Sequence, residues 1–195
     1  MSCCGNTQNF CVGIGATFHP VIRWGTDVLI SKPISAISQS APAVVTANNH
    51  GIPDGWQAAV VSALGMTQIN ATRYPPSGND WDEVSVIDAN NVALVDTNSA
   101  NATVYASGGF LVYSTPGLQA GMTATMSFYD PTTPTGTPLL TLTSGSGITL
   151  DFTGKTINPL LATAGLLWNS AYFRLDVTDT SGIVTQIMDG ILTIQ

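Results

Sequence analysis

Apolar and polar residues alternate along this chain with a period of two, in short stretches separated by Gly, Pro, Asn and Asp. Met122–Tyr129, Trp81–Ile87 and Ala171–Val177 show the alternation directly. A period of two marks a strand with one face buried. Short β-branched or apolar runs fill much of the rest: Val21–Ile30, Ala43–Thr46, Trp56–Ser62, Val92–Val95, Phe110–Tyr113, Leu139–Thr143, Ile148–Phe152, Ile183–Met188 and Ile191–Ile194. Each is too short for a typical helix and has the right length for a strand. Asn158–Trp168, with Leu160, Leu161, Ala164, Leu166 and Leu167, is the one stretch whose spacing suits a helix. The pattern therefore predicts an all-β, antiparallel protein with at most one short helix.

Ala41–Ala71 organises this pattern. Ala43–Thr46 reads as a strand, and Asn48-Asn49-His50-Gly51 as a reversal, because Asn tolerates left-handed backbone angles and Gly accepts them freely. Ile52-Pro53-Asp54-Gly55 is a second turn. Trp56–Ser62 is the next strand, and Gly65–Asn70 turns the chain again. Two corners this close leave no room for a helix, so a small, curved antiparallel sheet is expected. Asp88-Ala89-Asn90-Asn91 joins Trp81–Ile87 to Val92–Val95 as a hairpin. In Val21–Ile30 the Gly25-Thr26-Asp27 interruption predicts a bend or bulge. Asp96–Ser107 is a polar loop in which Asn98, Ser99 and Asn101 compete for local backbone bonds.

Charge narrows the options. Of 195 residues, 9% are charged; the formal net charge is −7 and Glu83 is the single Glu. Five basic residues, Arg23, Lys32, Arg73, Lys155 and Arg174, form no stripe able to follow a phosphate backbone, so no nucleic-acid partner is expected. No apolar run is long enough for a membrane span, and the N-terminus shows no secretory signal pattern. Hydrophobic content of 44% with so few charges implies faces made of Thr, Ser and Asn, or faces covered by neighbouring subunits.

Candidate chemistry is sparse. Cys3, Cys4 and Cys11 crowd the N-terminus. Three readings stay open: an intersubunit disulfide, a partial metal site with His19, or a reduced exposed tail. His50 lacks a nearby nucleophile or orienting acid. Asp80, Asp82 and Glu83 flank Trp81. They lack the spacing of a calcium loop, and an acidic cluster of this kind reads as solvated surface ahead of a carboxylate pair for sugar cleavage. Trp56 and Trp81, with Trp168, are the candidates for a sugar-stacking surface, although Trp at strand ends more often fills a core. Gly13-Ile14-Gly15 is too short for a phosphate loop. No cofactor is expected.

Two sets of motifs carry resemblances. Pro42–Ala47, His50-Gly51, Asp54-Gly55 and Gly65-Met66-Thr67-Gln68-Ile69-Asn70 resemble small β-barrel modules of phage virion proteins, and are similar to a half-domain of ubiquitin-activating enzymes. The catalytic cysteine of those enzymes lies in another part of them, and no Cys follows Cys11 here, so that activity does not carry over. Gly121–Ser127, Gly147–Asp151, Lys155–Ile157, Thr163–Trp168, Ala171–Gly182 and Gly190–Ile194 resemble the N-terminal sandwich domain of phage upper-baseplate proteins and small phage tail proteins. Val21–Ile30 fits the opening strand of that domain. The resemblances imply a β-sandwich made of 21–33 and 114–195 and a small β-barrel module inserted at 34–113; the small, polar, Cys-bearing residues 1–20 ahead of them read as an arm. The resemblances also imply a non-enzymatic virion protein of tail, neck or baseplate, made in the bacterial cytoplasm. Its expected partners are copies of itself in a ring and other tail, neck or fibre proteins. A carbohydrate-binding module for host attachment is the alternative.

Overall fold

The computed structural model describes residues 6–195, and they form an all-β protein. In chain order the strands are β1 (Asn6–Thr7), β2 (Phe10–Val12), β3 (Thr17–Phe18), β4 (Ile22–Arg23), β5 (Gly25–Pro33), β6 (Ala36–Ile37), β7 (Ala43–Thr46), β8 (Gln57–Val61), β9 (Asp82–Val86), β10 (Asn91–Leu94) and β11 (Phe110–Pro116). They continue as β12 (Thr123–Tyr129), β13 (Leu140–Ser144), β14 (Gly147–Asp151), β15 (Thr156–Pro159), β16 (Leu161–Ala162), β17 (Ser170–Thr178) and β18 (Val184–Ile194). Helical structure among the described residues is confined to the 3-10 turns Thr67–Ile69 and Gly78–Asp80. The chain divides into two compact units: a discontinuous one that ends at Trp24 and resumes at Gly117–Gln195, and a continuous one, Gly25–Pro116.

The discontinuous unit is the sandwich. Its sheet runs β1-β18-β17-β12-β13-β14-β15-β4, with β2 also paired to β18. Alternation places Ala124, Met126 and Phe128 of β12 on the buried face, and Ala171, Phe173 and Leu175 of β17 do the same. The register sets Met126 opposite Leu175 and Phe128 opposite Phe173, so the two strands build one apolar layer. Burying each such side chain stabilises the fold by about 1.5–3 kcal/mol. At Ser144–Gly147 the chain turns a corner. β13 and β14 meet there only through a short parallel contact, Thr143 to Gly147 and Ser144 to Ile148. Ile148 and Ile157 from the strands beyond the corner then enter the same core as Met126 and Phe173.

The continuous unit is a curved antiparallel sheet in the order β5-β11-β8-β9-β10-β7-β6. Val45, Trp56, Val60, Met66, Val84, Val92, Leu111 and Tyr113 form its core. Asn49, Gly51 and Gly55 all have positive φ, as the two expected corners require. The β9–β10 hairpin turns through Asp88, whose carboxylate accepts the N–H groups of Asn90 at 2.7 Å and Asn91 at 3.0 Å. Ser99 acts at longer range than its sequence context suggests. It is fully buried, and its hydroxyl donates to the carbonyl of Ser38 at 2.6 Å, pinning the long loop onto the β6–β7 connection.

Three expectations change. Residues 6–20 are not an arm: β1 and β2 run parallel to β18, and β3 pairs with β16. Phe10 rests on Phe18 and Phe173, and that apolar contact holds the segment down. The break at Gly25-Thr26-Asp27 carries the expected bulge, and it is also the border between units. Ile22–Arg23 pairs with β15, whereas Gly25–Pro33, expected in the sandwich, pairs with β11 and packs Ile30 against the other core. The inserted unit therefore starts at Gly25 and ends at Pro116. Asn158–Trp168 is not helical. Thr156–Pro159 completes a ladder with β14, and Leu161 turns into the core while Leu160 turns out. Pro159 and Gly165 both oppose a helix there, and strand pairing captures the leucines instead.

Candidate functional site

Polar groups singled out in the sequence serve the fold of the inserted unit. His50 is 2% exposed. Its Nδ1 accepts the Ile52 N–H at 3.0 Å, which places the ring proton on Nε2, and that atom donates to the Asp88 carbonyl at 2.8 Å. The Tyr113 hydroxyl donates to the His50 carbonyl at 2.6 Å. His50 thus ties the first corner to the hairpin turn and to β11. Among the described residues no nucleophilic side chain is bonded to its ring.

The carboxylates around Trp81 are engaged in the same way. Asp80 Oδ1 accepts the Thr72 N–H and the Thr72 hydroxyl, both at 2.8 Å, and its Oδ2 accepts the Ser77 N–H at 3.0 Å. The Thr72 N–H, then the Ser77 N–H, hold the Asp80 carboxyl below its ordinary value. The Arg73 guanidinium donates to the Ser77 hydroxyl and braces the same loop. Asp82 accepts the Asp96 N–H at 3.0 Å and the Thr97 hydroxyl at 2.6 Å. Glu83 is exposed and stands opposite Gln57 across β8 and β9. Asp80 and Asp82 therefore act as loop anchors, and no group of metal-binding side chains occurs among the described residues.

The two tryptophans separate. Trp56 is 3% exposed, and its indole N–H donates to the Ser114 carbonyl at 3.0 Å, so it cannot offer a face to a sugar. Burial of its whole ring in the core is the reason. Trp81 is partly exposed and lines two grooves. One groove, of about 490 Å³, lies beside the start of β9 and has Ala58, Val60, Asp82 and Leu94 in its wall. The other, of about 350 Å³, is bounded by Pro75, Pro76, Gln57 and the start of β5.

The start of β5 is irregular. Between the pairs Ser114–Leu29 and Pro116–Gly25 the register slips, so Thr26–Val28 bulges out of the ladder. Bulges re-aim side chains, and Thr26 and Asp27 both line the second groove. The side chains of Asp27 and Gln57 make no hydrogen bond to the described chain, in contrast with Asp80 and Asp82. Sequence reading flagged the break at Gly25-Thr26-Asp27, but gave no sign that Asp27 and Gln57, thirty positions apart, share a groove with Trp81.

Of the cysteines, Cys11 is an exposed free thiol on β2, and Cys3 and Cys4 lie outside the described residues. His19 takes no part in any metal-binding group among the described residues. No helix among them is long and apolar enough to cross a membrane. No family model matches this chain, and no curated protein matches it.

Proposed function

We propose that this chain is a non-enzymatic structural subunit that works by assembling with copies of itself and with other proteins of a particle. The observation that carries the assembly reading is an apolar, uncharged loop pair in the sandwich unit. The Gly13–Ala16 loop is tied to Thr163, whose hydroxyl donates to the carbonyl of Ala16 at 2.6 Å and of Gly13 at 3.2 Å. On these joined loops Ile14 is 76% exposed, Leu160 54% and Leu167 101%. Residues 1–22 contain no Asp, Glu, Lys or Arg, and residues 152–169 contain only Lys155. Large apolar side chains grouped without charges are the usual mark of a surface meant to be covered by another protein. Engagement of His50, Asp80 and Asp82 in backbone bonds supports a role without catalysis.

The narrower assignment, to the tail, neck or baseplate of a tailed phage, rests on the motif resemblances of Pro42–Asn70 and Gly121–Ile194. It makes the virion the working location, and places neighbouring tail, neck or fibre proteins among the partners. Light scattering on the eluting protein tests assembly. A mass several times that of one chain is expected, reduced by Ile14→Asp with Leu167→Asp. A single-chain mass at high concentration, unchanged by the double substitution, overturns it. Immunogold labelling of purified phage particles tests the location.

A further inference from the structure

We propose that the two grooves flanking Trp81 form one binding site for a neutral oligosaccharide. This is a ligand site on the inserted unit, and it stands independently of the assembly reading. Three observations converge. First, Trp81 is the one side chain that lines both grooves, so a chain lying across it reaches about 490 Å³ of space on one side and about 350 Å³ on the other. An extended ligand with an apolar face fits this better than a compact one. The indole offers that face, and the exposed Pro75 extends it.

Second, the polar groups left unengaged are of the kind that bind hydroxyls. The Asp27 carboxylate accepts two or more hydrogen bonds, and the Gln57 amide both donates and accepts. Both are exposed and make no hydrogen bond to the described chain. The β5 bulge is what directs Asp27 to the groove; a regular ladder from Leu29 to Gly25 would place Thr26, Asp27 and Val28 in register with β11. A sequence break of this kind costs ladder hydrogen bonds, and a ligand contact gives it a use.

Third, charge selects among ligands. Asp80, Asp82 and Asp96 line the first groove and Asp27 the second, and no Lys or Arg lines either. Sialylated, sulfated or phosphorylated chains would meet repulsion, whereas neutral sugars would not. A proline-rich peptide would use Trp81 and Pro75 but would leave Asp27 and Gln57 without partners, so the saccharide is favoured.

The test is binding of the full chain to a glycan array that carries neutral, sialylated and sulfated oligosaccharides, followed by titration of the best neutral chain with and without a proline-rich decapeptide. The expected result is selective capture of neutral chains. Trp81→Ala should weaken the best one roughly tenfold, the scale of one lost aromatic contact. Gln57→Ala should weaken it roughly fivefold, the scale of one hydrogen bond. Ile183→Ser, in the sandwich unit, should leave it unchanged. Because Trp81→Ala also risks unsettling its loop, Gln57→Ala and Asp27→Asn, at exposed positions, decide the matter alongside thermal melting. Three results overturn the site: no neutral chain captured, preference for anionic chains or the peptide, or binding indifferent to Gln57 and Asp27 in folded variants. Since oligomer mass is read separately, loss of this site and loss of assembly are distinguishable.

Discussion

His50 shows how a single side chain replaces a stretch of regular structure. The corner it occupies has no ladder of its own, so its ring supplies both an acceptor for Ile52 and a donor for Asp88. His50→Ala leaves the buried Ile52 N–H and the part-buried Asp88 carbonyl without their ring partner and opens a void. The expected loss is about 3 kcal/mol, seen as a lower urea midpoint. His50→Gln, which keeps one donor and one acceptor, should lose less. Carboxylates behave alike. Asp80, Asp88 and Asp130 are all held below the ordinary 3.8: Asp80 chiefly by the Thr72 N–H, Asp88 by the Asn91 amide and Asp130 by the Thr132 hydroxyl. A depressed folded-state value means that their contribution is fully present above pH 3.8 and is lost as pH falls through the lower folded values. The melting temperature should therefore drop below about pH 4. In Asp80→Asn an amide N–H would face the Ser77 N–H, so the variant should melt lower at neutral pH and show a shallower acid drop.

At the scale of elements, the N-terminal segment and the last strand depend on one close approach. Gln8 donates its N–H to the Asp189 carbonyl at 2.8 Å, and its own backbone then passes directly over Gly190. A Cβ there would collide with the Gln8 backbone, and Gly190 has φ of +154°. Gly190→Ala should push β1 and β2 away from β18 at a cost of about 1–3 kcal/mol. Limited proteolysis should then cut between residues 6 and 12, where the parent protein resists. The long edge strand β5 illustrates the opposite concern, an open ladder inviting unwanted pairing. Its bulge at Thr26–Val28, together with Asp27, Lys32 and Pro33, blunts that edge. The same bulge frames the groove beside Trp81, so one irregularity both protects the sheet and shapes the proposed site.

At the scale of the molecule, the insertion is closed at its base. The Gly117 N–H donates to the Trp24 carbonyl at 2.8 Å, so the sandwich unit holds the two ends of its gap together. Gly25 and Pro116 are likewise paired at the start and end of the inserted unit. Each unit has its own core, and the contacts of Met126 and Phe173 in one or of Trp56 and Leu111 in the other do not require its neighbour. Replacing Gly25–Pro116 by a short Gly-rich turn should leave a sandwich that melts cooperatively with a β-type circular dichroism spectrum. Gly25–Pro116 expressed alone should do the same. A chain that loses its cooperative transition in both forms would show that neither core suffices by itself.

Period-two alternation and turn chemistry were enough to determine the all-β class, most strand positions, the corners at Asn49–Gly51 and Gly55, and the β9–β10 hairpin, because each depends on neighbours a few residues apart. Motif resemblance also suggested that one unit interrupts another. Tertiary structure alone decided where that interruption begins, since Gly25–Pro33 could ladder with either unit and its partner β11 lies some eighty residues away. It decided that Asn158–Trp168 divides between strands and a loop, because β14 takes up Thr156–Pro159 and β3 takes up Leu161–Ala162. It also decided that Trp56 is core while Trp81 faces a groove, and that Asp27 and Gln57 stand beside it. Such long-range placements arise from sheet pairing, whose hydrogen bonds carry no record of sequence distance.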